Sequence, residues 1–480
     1  MLYIEKNLAL SDSQPRVSSL CTVAVHLLRV VVCIAHGSSP IFSEARTRGG
    51  LLDTAEMKRR ILAEDPSWTL ALVPRLSKLC LLSMVDNFEG MLLNPSEKAF
   101  MEERLSPALP LRLTATLVSD GLYWRRCCEQ RWKLCDVSHY SHSWKRMFFE
   151  RHLENLIELF IPGLTEPKTV LDMVPLCRNY VKRLDVAQLL LPIKEPKQEE
   201  EEFESDSEPE NEFSPSKMAH FDFSILLDKL TSLEELSLVY RVRQCGMNFE
   251  WKMFEMTDQD CESLAKALKS CQTLKVLRLR FSQVEDKKCR VLVKSLLDHP
   301  SLSQLDFSYN RVADRGARAV GKLLNRSKLQ ILDMSDNKIS SHGAQAIAHA
   351  LSKNSTLLSL NLRLNPLMDE GGQAIGKALM SNRTLRRLHL GGTGVTWRTA
   401  ASLAKVLPQN DTLRSLVLSC NILGDVGGKA LEEGVSENTS LTELDLSLTE
   451  ADKRSLSFIG KMVRRNQGSE NKKRLEEGKE

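Results

Sequence analysis

The sequence has little aromatic content, little net charge and no pattern of paired cysteines. Aromatic residues are 6% of the 480 residues, and 66 Lys and Arg face 62 Asp and Glu, for a net charge of +4. So small an excess argues against a nucleic-acid binder that works by bulk charge. Among 12 cysteines only Cys127 and Cys128 are adjacent, and such neighbours cannot form an unstrained bridge. We therefore expect no disulfide scaffold and a reducing compartment.

Long apolar runs are also scarce. Only residues 17–35 approach the length of a membrane span, and His26 and Arg29 lie near the middle of this run. A central arginine costs about 2.5–3.5 kcal/mol on insertion scales, so we do not expect this segment to span a membrane. Glu5 and Lys6 stand where a secretory signal would carry a basic cluster. The sequence therefore predicts that residues 1–55 form an atypical, poorly ordered leader.

The second half of the chain is strongly periodic. A Leu-x-x-Leu-x-Leu pattern, with Phe307 and Met334 as apolar substitutes, recurs mostly every 28 residues. Its frames start at Leu233, Leu274, Leu302, Leu329, Leu357, Leu385, Leu413 and Leu441. Small polar residues follow at a fixed distance, at Asn310, Asn337, Asn365 and Asn421, with Ser282, Thr393 and Thr449 in other frames. A glycine comes six residues later in four frames, at Gly316, Gly343, Gly371 and Gly427.

Each part of this unit has a physical reason. Alternating leucines point from a short strand into a shared core. A buried Asn can satisfy the backbone groups of the following turn, and the glycine-led run is typical of a helix packed on the strands. The pattern predicts an α/β fold: a leucine-rich-repeat solenoid of the ribonuclease-inhibitor type, with a parallel sheet on the concave side and helices outside.

The remaining segments complete the predicted organisation. We expect a small helical N-terminal domain over residues 56–193 and an acidic disordered linker over 194–217, which carries 10 acidic and 3 basic residues. Ser205 and Ser207 in this linker are candidate phosphorylation sites. The repeat domain spans 218–464, with about eight repeats, and a polar, loosely ordered tail spans 465–480. Thirteen surplus residues near 241–256 form an insert.

Phe249 and Trp251 lie in this insert and are candidate partner contacts. The alternative is that they only cap the end of the core.

Catalytic and cofactor chemistry is not expected. Residues 316–323 and 371–378 approach a phosphate-binding loop but lack its Ser or Thr, and both fall in the helical half of a repeat. A group of cysteines and histidines suggests zinc but lacks the Cys-x-x-Cys spacing. Its members are Cys127, Cys128, Cys135, His139 and His142. Filler in an apolar core is the favoured interpretation, and we predict no enzyme activity, no cofactor and no bound metal.

The exposed strand positions carry the candidate binding residues. Basic side chains gather on consecutive repeats, at Arg363, Arg386, Arg387, His389 and Arg414, with Lys275, Arg278 and Arg280 upstream. Carboxylates occupy the neighbouring repeats. Such a patch would orient an acidic protein partner, although any solvated sheet face also carries charge.

Several segments, some of them outside the repeats, carry a resemblance to a known family. They are residues 61–66 (ILAEDP), 143–156 (SWKRMFFERHLENL), 175–181 (PLCRNYV), 245–251 (CGMNFEW), 360–365 (LNLRLN) and 388–392 (LHLGG). In these the chain resembles the T-complex-associated testis-expressed family, the leucine-rich-repeat subunits 5 of the nexin-dynein regulatory complex. The resemblance covers residues 58–466 and excludes the leader.

The resemblance implies a non-enzymatic axonemal component of motile cilia and sperm flagella. It would help link doublet microtubules and regulate dynein-driven sliding. Its partners would be other subunits of the complex, including another leucine-rich-repeat subunit, with doublet microtubules and dynein arms nearby, and with no nucleic acid or membrane. The alternative is a soluble leucine-rich-repeat inhibitor or GTPase-activating protein that binds one acidic partner.

Overall fold

The computed structural model describes residues 95–192 and 219–477. The predicted leader, the first part of the predicted helical domain and the predicted acidic linker with Ser205 and Ser207 lie outside these residues. The chain divides into two compact units, residues 1–133 and 134–480. None of the described helices is both long and apolar enough to cross a membrane.

The described part of the first unit consists of three helices: α1 (Pro95–Arg104), α2 (Leu111–Leu117) and α3 (Leu122–Arg131). Helix α3 buries Tyr123 and Trp124, whose rings meet edge to face with centroids 5.2 Å apart. The Trp124 indole nitrogen donates a hydrogen bond to the Val118 carbonyl over 3.4 Å. This hydrogen bond ties α3 to the turn that precedes it.

The second unit is built on one sheet of nine parallel strands in chain order. They are β1 (Arg183–Val186), β2 (Glu235–Leu238), β3 (Val276–Leu279), β4 (Gln304–Asp306), β5 (Ile331–Asp333), β6 (Ser359–Asn361), β7 (Arg387–His389), β8 (Ser415–Val417) and β9 (Glu443–Asp445). The second leucine of each predicted frame pairs with its equivalent in the next strand, as Leu360 does with Leu388. These leucines are buried in nearly every strand, because their side chains alternate away from solvent. The predicted repeat phase is confirmed.

A helix follows each repeat strand from β3 to β8 and packs on its neighbours. The second unit's helices are α4 (Trp144–Glu158), α5 (Lys168–Leu171), α6 (Val174–Cys177), α7 (Asp258–Ser270), α8 (Asp286–Leu296), α9 (Asp314–Leu324), α10 (Ser341–Leu351), α11 (Met368–Leu379), α12 (Trp397–Val406), α13 (Gly424–Glu437) and α14 (Lys453–Glu477). Gly316 at the start of α9 donates its amide to Asp286 of α8 over 2.8 Å. A Cβ at Gly316 would lie 2.8 Å from the same carboxylate oxygen, so glycine is what permits this close approach.

The predicted asparagines bind the backbone of two successive repeats. Asn365 is 1% exposed, and its side-chain oxygen accepts a hydrogen bond from the Ile339 amide over 3.0 Å. Its side-chain nitrogen donates to the Met334 carbonyl over 2.8 Å and to the Leu362 carbonyl over 3.1 Å. Asn365 therefore satisfies backbone groups that leave the sheet, as expected from the sequence.

A second asparagine ladder lies at the other end of the strands, where the helix returns to the sheet. Its members are Asn354, Asn382, Asn410, Asn438 and Asn466, all buried. The Asn382 side-chain nitrogen donates to the Leu351 and Asn354 carbonyls, each over 2.9 Å. Sequence analysis missed this ladder, although the spacing between its members is again 28 residues.

The sheet starts earlier than the repeat frames suggest. Strand β1 lies inside the predicted helical domain, yet it pairs in register with β2. Helix α4 covers the outer edge of β1 with three glutamates spaced four residues apart. Glu150 accepts the Arg183 amide over 3.0 Å, Glu154 accepts the Asp185 amide over 2.8 Å, and Glu158 accepts the Ala187 amide over 2.8 Å.

The match between these two elements is geometric. Four helical residues advance about 6 Å and two strand residues about 6.6 Å, so each carboxylate meets an amide at the sheet edge, and Glu150 accepts the Lys182 amide as well. Helix α4 thus closes a sheet edge that would otherwise be open to pairing.

The C-terminal edge of the sheet is covered as well. The prediction of a loosely ordered tail over residues 465–480 is wrong for the residues up to Glu477, which are helical. Helix α14 runs from Lys453 to Glu477, well beyond the predicted end of the repeat domain at residue 464. Asn466 donates to the Asn438 and Leu441 carbonyls over 3.1 and 3.0 Å, and Gln467 donates to the Thr442 carbonyl over 2.7 Å. The polar composition that predicts disorder instead supplies hydrogen-bond donors to the last repeat.

Candidate protein-binding surface

The upstream basic residues on the exposed face of the sheet are already paired. Lys275 lies 2.9 Å from Glu234, and Arg278 lies 3.1 Å from Glu235. Arg280 lies 3.6 Å from Asp306 on the next strand. These three side chains are largely neutralised by their neighbours, so they offer little attraction to an acidic partner.

The downstream basic residues lack such partners. We call Arg363, Arg386, Arg387 and Arg414 the basic cluster. Arg363, Arg386 and Arg387 are exposed, and within the described residues no Asp or Glu forms an ion pair with any member. The Arg414 amide donates to the Arg386 carbonyl over 2.8 Å, which holds these two residues side by side on adjacent repeats. An array of unpaired arginines on a rigid sheet suits recognition of carboxylates.

His389 lies beside this cluster but adds no charge at neutral pH. Burial lowers the pKa of His389, and the positive charge of Arg363 lowers it further. The His389 Nδ1 atom accepts a hydrogen bond from the Gly391 amide over 3.1 Å. The sequence grouped His389 with the basic residues, whereas here its ring is neutral and fixes the end of β7.

The insert presents aromatic side chains to solvent. The Val242 amide donates to the Met253 carbonyl over 2.9 Å and closes the loop. Phe249 is 46% exposed and Trp251 72% exposed, and their ring centroids are 5.1 Å apart. Such exposure does not fit the alternative that these rings cap the buried core. Exposed aromatics held next to each other are typical of protein contact sites.

The cysteines and histidines that suggest zinc are divided between the two units. Cys127 and Cys128 are buried in α3 of the first unit, and burial raises the pKa of the Cys127 thiol. Cys135, His139 and His142 belong to the second unit, where none of them is buried. Across residues 95–192 and 219–477, no three His, Cys, Asp or Glu side chains are grouped to hold a metal ion.

The comparison with family models identifies the class. The model described as leucine-rich repeat matches residues 298–321, 326–348, 353–376 and 409–431. Together with the parallel sheet and its outer helices, this match defines the second unit as a leucine-rich-repeat array.

Curated relatives extend the comparison beyond the repeats. The chain is 48% identical over 309 residues to dynein regulatory complex subunit 5 of Macaca fascicularis, which is 63% of this chain and 61% of that protein. It is 49% identical over 234 residues to the protein of that name from Homo sapiens, 47% of this chain and 46% of that protein. Against the Chlamydomonas reinhardtii protein of that name, identity is 31% over 213 residues, 43% of this chain and 47% of that protein. The resemblance inferred from the sequence is confirmed, although the chain spans only about half to three fifths of these relatives.

Two solved structures are also similar. A tropomodulin C-terminal domain from Caenorhabditis elegans matches with 16% identity and a TM-score of 0.28, covering 40% of this chain and 98% of that one. An internalin from Listeria monocytogenes matches with 20% identity and a TM-score of 0.31, covering 49% of this chain and 68% of that one.

Proposed function

We propose that this chain is a non-enzymatic subunit of the dynein regulatory complex in the axoneme of motile cilia and sperm flagella. There it helps link doublet microtubules and regulate dynein-driven sliding. The observation that carries this proposal is the similarity to relatives named for that complex, at 47–49% identity for the mammalian proteins. A stiff repeat array closed at both ends suits a scaffold, because each repeat is held in place by its neighbours.

We propose that the partners are other subunits of the complex, including another leucine-rich-repeat subunit. Doublet microtubules and dynein arms lie nearby. The basic cluster would receive an acidic surface of one partner, and Phe249 and Trp251 of the insert would form a second, apolar contact. The two surfaces differ in chemistry and lie in different repeats, which supports simultaneous contacts with two elements of the complex.

Extraction from demembranated sperm or cilia tests the proposal. The chain should stay in the axonemal pellet through low-salt washes and copurify with other subunits of the complex. The matched comparison is ciliated and non-ciliated tissue from the same animal. A chain found only in the soluble fraction, and present in both tissues, would instead support the soluble inhibitor or GTPase-activating protein.

A further inference from the structure

An exposed apolar strip runs across the later repeats, where the strands end and the helices begin. We call it the apolar ledge. It consists of Leu364, Met368, Trp397, Ile422, Val426 and Leu448. Their exposed fractions range from 40% for Leu364 to 81% for Leu448. A contiguous set of this kind is uncommon on a protein that works alone and marks a contact surface.

The backbone conformation of three apolar-ledge residues lowers the stability of the folded state. Leu364, Met368 and Leu448 have φ angles of 57°, 52° and 57°, in the left-handed region that favours glycine. Each such residue costs about 1–2 kcal/mol, and exposure leaves little burial to offset that cost. Gly392, at the position equivalent to Leu364 one repeat later, has a φ of 65°. The array thus accepts glycine here, so folding alone does not require leucine.

The apolar ledge is continuous from repeat to repeat. Beyond the strands, the Leu364 amide donates to Gly391, and the Cys420 amide donates to Ser447, both over 2.9 Å. The Leu364 side chain leans over the next repeat, since a Cβ on Gly392 would lie 2.8 Å from its Cδ2 atom. Met368 leans over Gly394 in the same way. The two side chains fill the space that the glycines leave in the β7 repeat, which lies between the repeats that carry Leu364 and Ile422.

We propose that the apolar ledge binds an amphipathic α-helix of a partner protein, laid across the repeats with an acidic flank toward the sheet. Hydrogen-bonded repeats follow one another at about 4.8 Å, and a helix presents the same face every 5.4 Å or so. Over three repeats the repeat spacing and the helix pitch therefore accumulate a mismatch of about 2 Å. An extended segment, whose equivalent side chains are about 6.7 Å apart, would drift by about 6 Å.

Charge sets the orientation of this helix. Arg363 precedes Leu364 on the sheet side, is exposed, and has no ion-pair partner within the described part of the chain. On the helix side the exposed charges alternate in sign, from Glu370 through Arg398 and Asp425 to Arg454. At the Leu364 end the sheet side therefore favours Asp and Glu in the bound helix, whereas at the Leu448 end it carries Glu443 and Asp445 of β9 and disfavours them. The inference rests on the proposed function in one respect, that the chain works by binding proteins.

Site-specific cross-linking tests the inference in the full chain. A benzophenone amino acid replaces Ile422, the chain is expressed in ciliated cells, and axonemal and soluble fractions are irradiated separately. Sequencing of the cross-linked peptide should give a segment of another protein with apolar residues at i, i+4 and i+7 and with Asp or Glu on one flank. The same probe in place of Leu164, which is 70% exposed and lies outside the apolar ledge, should not capture that segment.

Two variants test the apolar contact and the charge contact separately. Leu448→Glu and Arg363→Glu should each lower the yield of the cross-link from position 422 by about tenfold. Leu159→Glu, at a residue 67% exposed outside the apolar ledge, should leave the yield unchanged. The inference is overturned by a cross-link to another copy or another part of this chain, by a captured segment without the helical pattern, or by no cross-link at all. Retention of the chain in the axoneme, scored in the same samples, reports on the proposed function separately.

Discussion

At the scale of single residues, the repeat depends on side chains that do one task each. Leucines fill the core, asparagines satisfy the turns and glycines admit the neighbouring helix. Neighbouring residues decide which charges on the exposed face are available to a partner. The carboxylates beside β3 neutralise Lys275, Arg278 and Arg280. The sequence showed these upstream charges but not the distances to the carboxylates that neutralise them.

Removal of one central leucine should destabilise the array. Leu360 is 1% exposed, so Leu360→Ala should lower the free energy of unfolding by about 2–5 kcal/mol through the cavity it leaves. Leu358→Ala, at a half-buried position on the same strand edge, is the matched control and should cost less. Chemical denaturation of both variants measures the difference, and equal losses would contradict the assigned core.

Removal of a ladder asparagine should act through its orphaned partners. Asn365→Ala leaves the Ile339 amide and the Met334 carbonyl without their hydrogen bonds, which should cost about 1–3 kcal/mol. Asn382→Ala in the second ladder should cost a similar amount, because it also serves two repeats. Thermal melts that leave either variant unchanged would show that water replaces the side chain.

Charge reversal in the basic cluster should separate binding from stability. Arg386→Glu combined with Arg387→Glu should weaken copurification of complex subunits and leave the melting temperature nearly unchanged, since both side chains are exposed. Lys377→Glu with Lys405→Glu makes the same charge change on the outer helices and should have no effect on copurification. Intact assembly of the arginine variant would move the interface to another surface.

At the scale of elements, the two ends of the sheet are closed by helices that are not repeats. Helix α4 accepts hydrogen bonds from the backbone amides of β1, and α14 donates hydrogen bonds to carbonyls of the last repeat. Neither role follows from composition, because a row of glutamates and a polar tail both favour solvent in isolation. Each becomes structural only where an open sheet edge faces it.

The edge contact of α4 should make stability depend on pH. Burial raises the pKa of Glu154 to about 8, well above its ordinary value of 4.5. The stability that the neutral carboxyl group contributes is complete below about pH 4.5 and is lost as the pH rises through 8. Glu154→Gln cannot ionise, so its melting temperature relative to wild type should rise between pH 6 and pH 9. A constant difference across that range would contradict the raised pKa.

The C-terminal helix should be required for a stable last repeat. A chain that ends at residue 464 loses the donors Asn466 and Gln467, whereas a chain that ends at residue 472 keeps both. We expect a lower melting temperature for the shorter chain alone, because the last repeat's carbonyls lose their partners. Similar melting of the two chains would restore the expectation of a loose tail.

At the scale of the whole molecule, the second unit is a linear array whose parts meet only their neighbours. The proposed contact surfaces are therefore spread along its length: the aromatic insert near β2, the basic cluster from β6 to β8, and the apolar ledge beside the later strands. Such a layout favours a scaffold that touches several elements at once.

A perturbation in such an array should stay local. In Leu360→Ala, hydrogen–deuterium exchange should increase most in the repeats carrying β5, β6 and β7 and fade toward β2 and β9. The wild-type chain under the same conditions is the reference. A uniform increase along the second unit would show that the array unfolds as one cooperative block.

The sequence by itself determined the repeat, its phase and the residues that fill it, because a 28-residue spacing of leucines can bury its apolar side chains only by stacking. It also carried the resemblance that the relatives confirm. Only the tertiary structure decided which charges remain unpaired, that β1 joins the sheet, that α4 and α14 close its edges, and that an apolar strip stays in solvent. Those outcomes depend on distances between residues far apart in the chain, which spacing along the chain does not encode.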